Sequence, residues 1–332
     1  MKDKALNFLK NLWNWIKNTP ELVKTTASRT VDFIGSWWRG IIIASLLIIF
    51  LYYPLGAIIT NNIDRNVNYN FAAMDDPKQS KTIEQMAYII NREVNEKLWT
   101  PNLPFFFPSY FLDNMPNFQL GMFDALKDVS QSFGKNFGNN EKMKEISENL
   151  AYPGTIWMFS PENKLKPVSS ANSKYRAARK ELNKFNQDLL DGKETFYRRP
   201  NDLVYILART RVNINKTIKD LEEYIIEESD AWYNSKSDDK FFYNQGKLYG
   251  YYLLLNAIGQ DYKDLIVNSN QYENWTKIIK ALENASQIDP TFVRNARLNS
   301  SFAPNHLAYL SFYALKAESN IQNIIRRTRV TQ

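Results

Sequence analysis

The chain has 332 residues, 44% of them hydrophobic and 14% aromatic, with 42 Lys or Arg against 35 Asp or Glu for a formal net charge of +7. That apolar content is enough for a packed core and excludes wholesale disorder. With no cysteine and one histidine, disulfides, cysteine-ligated clusters and thiol nucleophiles are excluded, and too few ligands remain for a Cys/His zinc site.

The positive charge is unevenly placed. Residues 1–39 hold seven Lys or Arg and three Asp or Glu, residues 40–60 hold neither, and the rest holds 35 basic against 32 acidic residues. The large remainder is thus nearly neutral, and its charge makes no case for a nucleic-acid partner.

In chain order, residues 4–17 set Leu6, Phe8, Leu9, Leu12, Trp13, Trp15 and Ile16 on one half of a helical wheel. Lys4, Asn7, Lys10, Asn11, Asn14 and Lys17 fill the other. Tryptophans on the apolar face and lysines opposite suit a helix lying in a membrane interface; packing on another part of the protein is the alternative. Thr19, Pro20 and Glu21 read as a cap, a first-turn proline and a dipole-complementing acid that open a second helix.

Gly40–Thr60 follows, 21 residues without a charge. As a helix rising about 1.5 Å per residue it is about 30 Å long, the thickness of a bilayer's hydrocarbon core. Pro54 is a breaker that membrane helices tolerate. Trp37 and Trp38 stand where aromatic belts form, so the expected bilayer contacts are Trp13, Trp15, Trp37 and Trp38. Seven basic residues precede the span, and Arg65 alone lies in the seventeen positions after it. The positive-inside rule then predicts residues 1–39 in the cytoplasm and the bulk of the chain in the periplasm of a bacterial inner membrane. No small-residue cleavage site follows, so the segment reads as an anchor.

Residues 61–79, polar and Asn-rich, read as a stalk, and 80–332 as a helical domain. Apolar periodicity predicts helices over 80–98, from 117 to Gly134 or Gly138, and over 141–150, 172–190, 200–228, 238–259, 271–285 and 304–327. Two aromatic, proline-rich connections interrupt them: Trp99–Phe118, with Pro101, Pro104, Pro108 and Pro116, and Tyr152–Pro167. Proline spacing forbids a helix through 100–108, which predicts an ordered, buried connection. The fold class is mainly α: a membrane helix followed by a helical bundle with two ordered aromatic loops. Gly246 and Gly250, four apart on the most apolar helix, predict close approach of a second helix and make 238–259 the central element.

The stretches FFFPSYFLDNMPNFQLGMFDAL (105–126), YPGTIWMF (152–159), KYRAARKELNKFN (174–186), KFFYNQGKLYGYYLLLNAIGQDY (240–262) and PNHLAYLSFYALKA (304–317) together resemble the bacterial domain-of-unknown-function family 2333, proteins with one N-terminal membrane span. The resemblance implies bacterial origin and this architecture. It carries no activity and no functional residues.

Candidate chemistry is sparse. Asp113 and Asn114 stand between an aromatic run and a helix, as polar groups of a ligand pocket or as cap and loop stabiliser. Arg198 and Arg199 form a basic pair suited to anionic lipid or cell-wall phosphate, and the arginines at 326, 327 and 329 complement a helix C-terminus. His306 has no nucleophile motif beside it, and Glu84, Glu93, Glu96, Glu222, Glu223, Glu227 and Glu228 read as solvated helix faces. No catalytic, cofactor-binding or metal-binding residue is assigned, and no cofactor is implied. The leading expectation is a non-enzymatic interaction, scaffold or envelope-accessory protein with a protein partner in the envelope. The alternative is a periplasmic binding or hydrolytic module with an aromatic pocket around residues 99–118. A weaker one leaves the domain cytoplasmic.

Overall fold

A computed structural model describes residues 2–60, 62–67, 76–138, 140–162, 166–228, 235–301 and 303–330; part of the expected stalk, 61 and 68–75, lies outside them. Contacts divide the chain into two units, Met1–Gly56 and Ala57–Gln332.

The first helix, α1 (Lys2–Thr60), is uninterrupted. The two helices and span expected from the sequence are therefore one element, with Pro20 and Pro54 inside it. One proline removes one backbone donor and crowds one turn. Before Gly35 there is no glycine, so nothing reinforces the break at Pro20. Gly40–Thr60 is long and apolar enough to cross a membrane, and none of it is buried against protein.

Among the described residues, the regular structure of the second unit is helical. Its elements are α2 (Lys81–Asn91), α3 (Asn114–Gly134), α4 (Glu141–Leu150), α5 (Ala171–Leu190), α6 (Pro200–Glu227), α7 (Ser235–Asp261), α8 (Lys263–Asn268), α9 (Tyr272–Ser286) and α10 (His306–Val330). Local signals account for many of the starts. Ser80 Oγ accepts from the Ile83 amide, Asn140 and Ser170 cap α4 and α5, and Pro200 opens α6 where its missing donor costs nothing. The short α8 has too few residues to show a period, and the sequence did not predict it.

Helix α7 is the centre. It packs most extensively on α3 and also on α2, α9 and α10, while α10 lies against α6 and α9, and α5 against α2 and α4. At the α3–α7 crossing the two backbones touch. A Cβ added at Gly246 would stand 2.0 Å from the Phe118 carbonyl oxygen, and one at Gly121 1.9 Å from that of Tyr243. Gly250 sits 2.9 Å, by the same measure, from Met122 O and the Ala125 Cβ. The Gly246/Gly250 spacing is thus a packing device, and Gly121 is its counterpart on the facing helix.

Helix α2 runs into a π-helical turn, Arg92–Glu96, with Arg92 and Glu93 buried. Arg92 Nε donates to Glu93 Oε1 at 2.6 Å and Nη1 to the Tyr249 hydroxyl at 2.8 Å. Glu93 Oε2 accepts from Gln119 Nε2 at 3.0 Å, and Gln119 Oε1 takes both the amide and hydroxyl of Thr100. Burial opposes the guanidinium's charge, but Glu93 and Tyr249 hold its pKa above the ordinary value. The Tyr249 hydroxyl passes the chain on to the Asn66 carbonyl at 2.8 Å.

That last bond belongs to a larger set. Tyr252 donates to Val67 O, Arg65 to Ile288 O and Asp289, and Lys97 to Asn62 O. Asp64 lies 3.9 Å from Arg92 and 3.5 Å from Lys97. Residues 62–67, at the start of the expected stalk, are therefore fastened along the domain.

Two stability predictions follow from the crossing and the network. Gly246→Ala should lower stability by roughly 1–3 kcal/mol or more, since neither backbone can withdraw without moving a helix, whereas Gly35→Ala, with open space at its Cβ, should not. Arg92→Met should cost about 3–5 kcal/mol by stranding Glu93, and Arg92→Met/Glu93→Gln should recover part of it. Thermal and urea unfolding of the full chain in detergent check both, and equal melting temperatures for the Gly246 and Gly35 variants would contradict the packing argument.

Candidate functional site

Two surfaces hold the chemistry that the sequence singled out. The first lies at the start of α7. Asp113 is exposed just before α3 and makes no side-chain cap bond. The Asn114 amide, oriented with its nitrogen toward the acids, donates to Asp238 Oδ2 at 2.6 Å and Asp113 Oδ1 at 3.2 Å. Asn117 Nδ2 donates to Asp239 Oδ1 at 2.6 Å. Burial, then Asp113 and Asp239, push the Asp238 carboxyl up to about 6, and burial with Asp113 also raises Asp239. Asp113 and Asn114 thus belong to an acidic cluster, with amides as its donors.

Beside it a cleft of about 490 Å³ opens between α3, α6 and α7, lined in part by Asn117, Lys216, Asp220, Asp239, Lys240 and Lys247. Its charges largely satisfy one another. Lys240 pairs with Asp220, and Lys247 Nζ donates to Asp124 Oδ2 at 2.8 Å. Burial opposes ionisation of Asp124, yet Lys247 and Lys127 bring its pKa down to about 2. Sequence reasoning missed these lysines. Lys236, Lys240 and Lys247 recur at spacings of four and seven on α7, and Lys216 and Asp220 are four apart on α6: two helical faces whose meeting no local pattern records.

Arg198 and Arg199 lie elsewhere. Arg198 donates to Gln79 O at 2.9 Å, stacks on Phe196 and stands 4.0 Å from Asp261. Asp261 closes α7 and accepts from Ser80 Oγ and from the Lys81 and Thr82 amides, so it caps α2. Arg199 pairs with Asp202 at 2.8 Å in the first turn of α6. Asp238 and Asp261 are 23 residues apart along α7, about 35 Å at 1.5 Å per residue. The structure does not bring Asp113 and Asn114 together with the arginine pair.

His306 opens α10. Its Nδ1 accepts from the Arg294 amide at 3.0 Å, and its own amide donates to Arg294 O. Burial, with Arg294, lowers its pKa. Among the described residues no three His, Cys, Asp or Glu side chains are grouped to hold a metal ion.

The second surface is aromatic. The 99–118 connection was expected to be buried; among the described residues its ends are buried and its middle is half-buried or exposed. Trp99 and Phe118 are buried, whereas Phe105, Phe106 and Tyr110 are exposed, and so are Trp157, Met158 and Phe159 of the second loop. Successive side chains on a turning, non-helical backbone diverge, so three consecutive phenylalanines cannot all face one core. The Phe106 and Trp157 rings meet edge to face at 6.1 Å. Behind them the two loops are bonded rigidly. Trp99 Nε1 donates to Gly154 O at 2.8 Å, and Asn102 Nδ2 to Ile156 O at 3.0 Å and Asn172 Oδ1 at 2.7 Å. Trp99 itself lies among Phe123 and Tyr175.

The second loop, all but the first two residues of the first, helices α3 to α5 and nearly all of α6 fall within residues 101–226, which match the family described as an uncharacterized protein conserved in bacteria, DUF2333. That segment, 126 of the 332 residues, is similar to this family. It contains the resemblances read at 105–126, 152–159 and 174–186, and ends before those at 240–262 and 304–317. No curated protein and no solved structure matches the chain.

The acidic cluster makes a pH prediction. A carboxyl raised in the folded state binds more protons there than in the unfolded chain between about pH 4 and 6, so stability falls as pH rises through that window. Asp238→Asn should therefore melt higher than the parent at pH 7, with the gap closing as pH falls toward 4. A gap that stays constant across that range would show that Asp238 is not the titrating group.

Proposed function

We propose that this protein is held in a bacterial inner membrane by Gly40–Thr60, with residues 1–39 cytoplasmic and the helical domain periplasmic, and that it acts by interaction rather than catalysis, as a scaffold or accessory protein of the envelope. The observation that carries the reading is the 21-residue uncharged helix segment with no part of it buried against protein, preceded by seven basic residues. Trp13, Trp15, Trp37 and Trp38, all exposed, are assigned to the bilayer interface. The interaction reading is supported by how the domain's charged groups are engaged. Arg92 and Glu93 bond each other in the core, Asp124 takes two lysines, and Asp261 caps a helix.

A binding module is the second reading, and the α3–α6–α7 cleft beside Asn117 favours it over an aromatic pocket at 99–118. Asp113, Asn114, Arg198 and Arg199 remain its candidate ligand contacts, now in two separate places.

Fusions at the C-terminus test the topology: alkaline phosphatase should be active and a cytoplasm-dependent fluorescent protein dark, and the reverse result would put the domain in the cytoplasm. Photo-crosslinking in cells from Tyr309 and Phe312, exposed on α10, should give discrete protein adducts. Labelling of lipid alone, or no adduct at any exposed position, would remove the scaffold reading.

A further inference from the structure

The aromatic surface has a composition that neither a core nor a solvated loop requires. No charged residue occurs in 98–112 or in 152–161, and Phe105 is 69% and Phe159 45% exposed. Some polar groups of the two loops are turned inward, as with Asn102 on Ile156 O and Asn172, while Thr155 and Tyr110 stay exposed, so the outer edge is rich in rings and without charge. A hydrocarbon-facing layer accepts such an uncharged edge without demanding a charged partner. Charges of both signs stand at the rim: exposed Asp113 and Glu162 directly follow the two uncharged stretches. Exposed Lys166 pairs backbone to backbone with Ser160 across the second loop, and Lys97 precedes the first.

The chain's own path decides what the ridge meets. Only Asn61 separates Thr60, the last residue of the uncharged stretch, from Asn62, whose carbonyl Lys97 holds. Two residues span about 7 Å at most, and the eight from Lys97 to Phe105 about 28 Å. Residues 62–67 are fastened to the domain by Arg65, Tyr249 and Tyr252, so the ridge belongs to the part of the domain within those chain lengths of the end of the uncharged stretch.

We propose that Phe105, Phe106, Trp157, Met158 and Phe159 form a second membrane contact, seated in the headgroup layer of the bilayer that Gly40–Thr60 crosses. Rings that are apolar but edge-polarised favour that layer, and a rigid ridge loses little conformational freedom on inserting there. The inference rests on the anchored reading above.

The absence of cysteine makes the test direct. Single-cysteine variants Phe106→Cys, Phe159→Cys, Ile49→Cys and Tyr309→Cys of the full chain are spin-labelled in nanodiscs of phosphatidylethanolamine and phosphatidylglycerol. Power saturation then compares relaxation by oxygen with relaxation by a nickel chelate. Labels at 106 and 159 should favour oxygen, less deeply than 49, while 309 favours nickel. If 106 and 159 follow 309 while 49 lies in lipid, the ridge contact is wrong and the anchor stands. If 49 itself favours nickel, the anchored reading falls and takes the ridge with it. Shielding of 106 and 159 from both reagents would mean that protein covers the ridge, which also overturns the proposal.

Discussion

Backbone contact between α3 and α7 is the constraint on which the domain is built. Helices usually pack with 8–10 Å between axes, set by the side chains at their contact. Where Gly121, Gly246 and Gly250 remove those side chains, Phe118 O and Tyr243 O approach the facing helix directly. The gain is dense packing around Phe118, Met122, Leu126, Leu253 and Leu254, all buried. The cost is intolerance: an atom added at the crossing has nowhere to go. Helices α2, α9 and α10 then take positions around α7, and α6 follows α10.

The same closeness explains the polar chemistry inside. Residues flanking the crossing on α3 and α7 face each other at short range, and Asp124 and Asp128 of α3 meet Lys247 and Tyr251 of α7. At the other face, Tyr249 and Gln119 meet the π-helical turn of α2, which buries Arg92 and Glu93 together. A buried ion pair contributes little net stability over an apolar replacement, yet breaking it is costly because one charge is stranded. Here it also has a geometric consequence: through the Tyr249 hydroxyl it fixes residues 62–67, and so the point at which the chain reaches the domain.

Much of this was legible residue by residue. Periodic apolar positions such as Ile83, Ala87, Ile90 and Val94 place α2, and Ser80 and Pro200 mark helix starts to within a residue. Gly246 and Gly250 announced close packing. Other features were not legible. Pro20 looked like a break because a helix start is read from a few neighbouring residues, while continuation depends on the whole run. The phenylalanines at 105 to 107 looked buried because hydrophobicity suggests burial without assigning a direction. Asp113 and Asn114 looked like a site together with nothing; their partners Asp238 and Asp239 lie more than a hundred positions away.

What the amino-acid sequence determined by itself was local and periodic: a mainly helical chain, one uncharged stretch long enough for a bilayer, charge gathered before it, and helix limits within a few residues. These depend on neighbours three or four positions apart, where a single chain records everything needed. What only the tertiary structure decided was which distant residues share a surface. The lysines of α6 and α7 meet over one cleft, Arg198 serves the cap of α2 instead of a ligand surface with Asp113, and the two aromatic loops join into one exposed ridge. Those outcomes depend on how α3 crosses α7, and a crossing is a relation between segments that no short window of sequence contains.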